Sequence, residues 1–128
     1  MPDIGERANV MGPRPIASPS AVPPAMLAAA ARVLELLAAA DANALAALAT
    51  PAGAGEVVAL ARAIRPGRYQ RHEIIATARV NYHHYVKARL FGDRVEPFTV
   101  QFRLGEQDGR WMVWEAMDLS GGRTAWTR

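Results

Sequence analysis

The sequence predicts an α+β domain, with about three N-terminal helices packed on a mainly antiparallel sheet of four to five strands. Three observations carry this expectation. Apolar residues recur at helical spacing as far as about residue 64. From Tyr69 the apolar period changes to two. The segments after that point are separated by short turn signals, which makes a meander, and helices set to one side of such a sheet define the class.

The length of 128 residues suits one domain. Residues 1–22, rich in Pro, Ser and Gly, read as a flexible tail or linker, and 23–128 as the single domain. In "PPAMLAAAARVLELLAAA" Leu27, Val33, Leu34 and Leu37 fall on one helical face, with Met26 beside them. Asp41 interrupts and is placed to cap a second helix, whose apolar face is Leu45 and Leu48 and which Pro51 ends. "AGAG" reads as a loop. "EVVALARAI" reads as a third short helix with Glu56 in its first turn.

The long run from Tyr69 to Gly92 exceeds one ordinary strand and divides near Asn81. "VEPFTVQFRL" alternates cleanly and is followed by the hairpin signal Asp108-Gly109 and by "RWMVWEAMDL". "RTAWTR" reads as a short edge strand or a tail.

Two stretches carry a family likeness. "LLAAADANALAALATP" is a helix, an Asp-capped break and a second helix. "FTVQFRLGEQDGRWMVWEAMDL" is a strand, a charged hairpin ending in Gly-Arg-Trp, and a strand. Over roughly residues 24–119 the chain resembles the nuclear transport factor 2-like superfamily. The resemblance implies a cone in which the helices pack on the concave face of a curved sheet and leave a pocket. It also implies homodimers through the outer sheet face. Members include isomerases, dehydratases and cyclases as well as non-catalytic binding and assembly domains, and no complete catalytic arrangement of any of them is present. Fold likeness alone does not deliver activity.

Strand alternation sorts side chains into faces. The apolar sets expected to face the helices are Phe98, Val100, Phe102 and Leu104, then Trp111, Val113, Glu115 and Met117, and then Tyr82, His84, Val86, Ala88 and Leu90. Upstream, His72, Ile74, Ala76, Ala78 and Val80 are expected inward, with Arg71, Glu73, Thr77 and Arg79 outward. A ligand pocket is therefore expected to use His72, Phe98, Val100, Phe102, Trp111, Val113 and Met117, and to take a hydrophobic small molecule. A carboxylate and an imidazole sharing such a pocket can act as base and acid, so Glu115 and His84 are the candidate catalytic pair, with Tyr82 as donor to a developing oxyanion. The alternative is that Glu115 pairs with an Arg or reaches solvent while His84 is a hydrogen-bonded core residue.

The outward set interleaves Tyr85, Phe91, Met112 and Trp114 with Arg71, Arg79, Lys87, Arg89 and Arg103. Rings and methionine ringed by arginine fit a homodimer interface, for which Tyr85, Arg89, Met112 and Trp114 are the candidates. The same set could serve a single-stranded nucleic acid or stand as a solvated face. A net charge of +3 weighs against nucleic acid. Adjacent residues on a strand point to opposite faces, so His83 and His84 do not suit one metal ion, and no metal site is expected. No cofactor is expected: "SGGRT" lacks the Lys and helix of a phosphate loop, and no serine elbow is present. The absence of cysteine removes disulfides and thiol chemistry. No signal peptide or membrane span is visible, and the compartment stays open. The expected function is a small-molecule-binding or assembly domain. The alternatives are an acid/base enzyme acting in the cone and a nucleic-acid module using the outer face.

Overall fold

The computed structural model describes residues 22–120. The expected tail, apart from Val22, and the stretch 121–128 lie outside the described residues. Three helices precede a four-stranded sheet that does not close.

Helix α1, Pro24–Ala38, starts with a proline where the first amides have no intrahelical acceptor. Its buried stripe is Met26, Ala30, Val33, Leu34 and Leu37, spaced at i, i+4, i+7, i+8 and i+11. Each large member contributes roughly 1.5–3 kcal/mol by leaving water. Leu27, expected in this stripe, is instead 36% exposed, because Met26 occupies the helix face that meets the sheet. The helix ends in a Schellman motif: Ala40 N donates to Leu37 O and Asp41 N to Leu36 O. That motif puts Ala40 at φ 55, a conformation usually given to glycine.

Helix α2, Ala42–Ala47, is capped as expected by Asp41, whose side chain accepts from Ala44 N at 3.1 Å. Helix α3, Pro51–Ala63, corrects the reading of Pro51 as a terminator and of "AGAG" as a loop. Thr50 Oγ1 accepts from Gly53 N at 3.1 Å and caps the helix, so Pro51 falls at the first helical position, where its missing N–H costs nothing. Gly53 is required for packing: a Cβ there would overlap the backbone of Val113 and Trp114. Glu56 consequently lies beyond the first turn, and its Oε1 accepts from Ala116 N at 2.9 Å.

Strands β1 (Arg71–Val80), β2 (His83–Phe91), β3 (Phe98–Gln107) and β4 (Arg110–Asp118) form an antiparallel meander in chain order. Asn81, at φ 58, turns β1 into β2. Asp108 and Gly109, at φ 55 and 79, make the expected two-residue hairpin between β3 and β4.

Two bulges interrupt the alternation. In β1 the register passes from Ile74↔Ala88 to Ala76↔Lys87, so Ile75 is an extra residue. In β4 it passes from Val113↔Leu104 to Glu115↔Arg103, so Trp114 is the extra residue. One extra residue sends all later side chains to the opposite face. Thr77 and Arg79 therefore share the helix-side face with Val86 and His84, and Ala76, Ala78 and Val80 lie on the outer one, the reverse of expectation. Glu115 and Met117 likewise move to the outer face, beside Arg103 and Gln101.

The helices cover one sheet face only. Val86, Ala88, Leu90, Val100, Phe102, Leu104 and Val113 are at most 1% exposed against Met26, Leu34, Leu37, Leu45 and Val57. The two sheet edges differ. On β4, Thr50 N donates to Val113 O at 2.9 Å and Val113 N to Leu48 O at 2.8 Å, a parallel bridge with Ala49, and Glu56 takes the Ala116 amide. Among the described residues, nothing bonds to the outer backbone edge of β1.

Candidate functional site

The strand β2 separates the two neighbouring histidines. His84 pairs with Leu104, which pairs with Val113, all on the helix side. It is 6% exposed, and its ring meets Trp111 edge-on at 5.5 Å. Burial lowers its pKa, and the charge of Arg79 and the neighbouring His83 lower it further, so the neutral imidazole is favoured.

His83 pairs with Gly105 on the outer face. Its ring lies over that glycine and 4.8 Å from the Trp114 ring, and a Cβ at Gly105 would overlap both the imidazole and the indole nitrogen. Trp114 Nε1 donates to Gly105 O at 3.2 Å, which fixes the indole flat against β3. Burial lowers the His83 pKa, with a further contribution from Arg103 that Glu115 opposes.

Beside them Arg103 Nη2 meets Glu115 Oε2 at 3.0 Å. Tyr85 pairs with Arg103 in register, and Met112 with Gly105. Arg89 lies further along the same face, its Nε donating to Thr99 Oγ1 at 3.3 Å. The four residues expected at an interface, Tyr85, Arg89, Met112 and Trp114, thus lie on one face, three of them half-buried. Two buried polar atoms of this face, Gln101 Oε1 and Arg103 Nε, have no hydrogen-bond partner among the described residues. Such orphans are rare and costly, which makes this the energetically incomplete part of the sheet.

Two grooves adjoin the cluster. One, of about 270 Å³, is bounded by Val80, Asn81, Tyr82, His83, Tyr85 and Arg103. The other, of about 190 Å³, runs past Gln101, Arg103, Glu115 and Met117 to Glu56 at the β4 edge.

The expected catalytic trio does not converge. His84 faces the helices, Glu115 faces outward in an ion pair, and Tyr82 stands 89% exposed at the β1–β2 turn. The sheet backbone separates His84 from Glu115, so they cannot exchange a proton through a common ligand. The expected pocket residues also divide. Phe98, Val100, Phe102 and Val113 are packed core; Val100 and Val113 at 0% exposure touch no space a water could enter, and Phe102, at 1%, borders only the smaller groove. His72 and Trp111 are half-buried on the helix side, and Met117 lies outside at 36% exposure. Among the described residues no three His, Cys, Asp or Glu side chains come together as a metal site needs, and no helix is long and apolar enough to cross a membrane.

Gln101 and Gly105 were not singled out from the sequence. Gly105 had a signal: a glycine inside a strand pattern marks a close approach. What this face offers chemically is recognition by rings and paired charge, beside a buried amide oxygen without a partner among the described residues. The chain matches none of the known families, curated proteins or solved structures with which it was compared.

Proposed function

We propose that this domain is an assembly module of the nuclear transport factor 2-like type, which pairs with a second copy of itself through the outer face of its sheet. The observation that carries this reading is the half-buried cluster of His83, Tyr85, Met112 and Trp114 around the Arg103–Glu115 ion pair, on the face the helices leave uncovered. Aromatic residues, methionine and arginine are the types that concentrate at the centres of protein interfaces. A cluster holding both signs of charge suits contact with an identical surface.

The helix-side packing favours assembly over a ligand held in the cone, because the centre of that face is filled by its own side chains. The order of elements and the two bulges, which bend a sheet, fit the curved sheet that the resemblance implies. Pairing of Arg103 with Glu115 removes one cation from the face and weakens the case for a nucleic-acid platform.

Light scattering across a concentration series tests the proposal. A mass of two chains that Trp114→Ala reduces to one supports it. A mass of one chain at every concentration removes it.

A further inference from the structure

Tyr82 is the residue the fold leaves without a task. At 89% exposure it contributes little to folding, yet the turn that carries it is braced. It stands in a two-residue turn between the paired residues Val80 and His83, next to Asn81 at φ 58. Arg79 Nε donates to Asn81 O at 3.1 Å and braces that turn. A tyrosine on a braced turn is a prepared anchor: it offers a large ring and a hydroxyl, and only two side-chain torsions are lost on contact.

The groove beside it has room for such a ring. Its volume is about 270 Å³, and a cavity of about 150 Å³ accepts benzene. Its walls include Tyr82 itself, together with Tyr85, His83 and Arg103, which offer ring faces and a guanidinium for cation–π contact. Knob and groove therefore sit side by side on one patch, next to an ion pair that presents both signs of charge. A two-fold contact between identical chains makes this demand, because each copy must give and receive with the same surface.

We infer that Tyr82 of each copy inserts into the hairpin groove of its partner, so that the two-fold axis passes close to the β1–β2 turns. This rests on the proposed pairing through the outer face and locates its anchor. Reciprocal insertion uses the aromatic residue type that most often carries binding energy at interface centres.

The test uses the full chain. In sedimentation equilibrium Tyr82→Ala is expected to raise the dissociation constant at least tenfold, and Tyr82→Phe only a few-fold. The melting curve of dilute Tyr82→Ala should match that of the dilute parent chain, since the side chain is solvated. With p-benzoylphenylalanine at position 82 and an equal mixture of 14N and 15N chains, irradiation should give mixed-isotope cross-links to residues 80–85 or to Arg103. A parent chain that dimerises while Tyr82→Ala dimerises equally well overturns the inference and leaves the outer-face pairing intact, provided Trp114→Ala dissociates it. Cross-links that map to the helices overturn it too. A parent chain that is monomeric throughout overturns both.

Discussion

His83 and His84 are adjacent in the chain, yet each ring rests on a different tryptophan: His83 on Trp114 outside the sheet, His84 on Trp111 beneath it. Both imidazoles are held towards the neutral form, mainly by burial. The doublet is thus two separate structural contacts.

This gives a pH dependence with a definite sign. Lowered folded-state pKa values mean that the unfolded chain binds protons first as pH falls below about 6.5, the ordinary histidine value. Stability is therefore fully present above that value and is lost as the pH descends towards the folded pKa values. Thermal melts between pH 7.5 and 5.5 should show a falling Tm, and His84→Phe, which keeps a ring against Trp111, should flatten the slope. An unchanged slope in that variant would remove His84 as a source.

The two tryptophans should respond differently. Trp111→Ala strips a ring from the helix side and is expected to destabilise the fold by roughly 2–3 kcal/mol, below the full-burial range because the ring is half-exposed. Trp114→Ala should cost about 1–2 kcal/mol of folding, through the lost hydrogen bond to Gly105 O and the lost ring contact with His83, and weaken self-association at least tenfold. Urea denaturation and sedimentation, run on both variants, separate the effects. Equal losses in both measurements for both residues would contradict the division of faces.

Ala40 offers a stabilising change. Its Cβ is strained at φ 55, at a cost of roughly 1 kcal/mol that glycine escapes. Ala40→Gly should raise the Tm by about 4 °C. A lower Tm would show that the Schellman turn is not the strained element described.

Gly53 offers the converse. Alanine would gain up to about 1 kcal/mol of helix propensity if α3 stood alone. Here its Cβ meets the Val113 carbonyl, and neither backbone can move without breaking the Thr50–Val113 bridge. Gly53→Ala should be destabilising by about 1–2 kcal/mol net, read from the urea midpoint. Gly55→Ala, in open space, serves as the control and should be neutral or stabilising.

The fold was legible where periodicity alone decides it. The strand division at Asn81, the Asp108-Gly109 hairpin and the Asp41 cap all follow from local chemistry. Helix α3 was misplaced because Thr50 and Pro51 can be read as an end or as a beginning, and contact with β4 selects the second. The candidate site suffered from parity. Neither Ile75 nor Trp114 looks like a bulge residue, and each reverses every assignment after it. That is why Arg79 and Glu115 were read on the wrong faces while His84, with no bulge in its own strand, was placed correctly.

The unequal edges of the sheet have a consequence for polymerisation. Fibre growth by strand addition needs two docking edges per molecule, one to receive and one to offer. On β4 the bridge at Ala49 and the Glu56 side chain occupy the middle of the strand, so among the described residues β1 is the edge left to dock. Two molecules that join β1 to β1 have no further edge to extend. Among the described residues, strand pairing through open edges therefore stops at two copies, a limit set by one side chain and one three-residue segment.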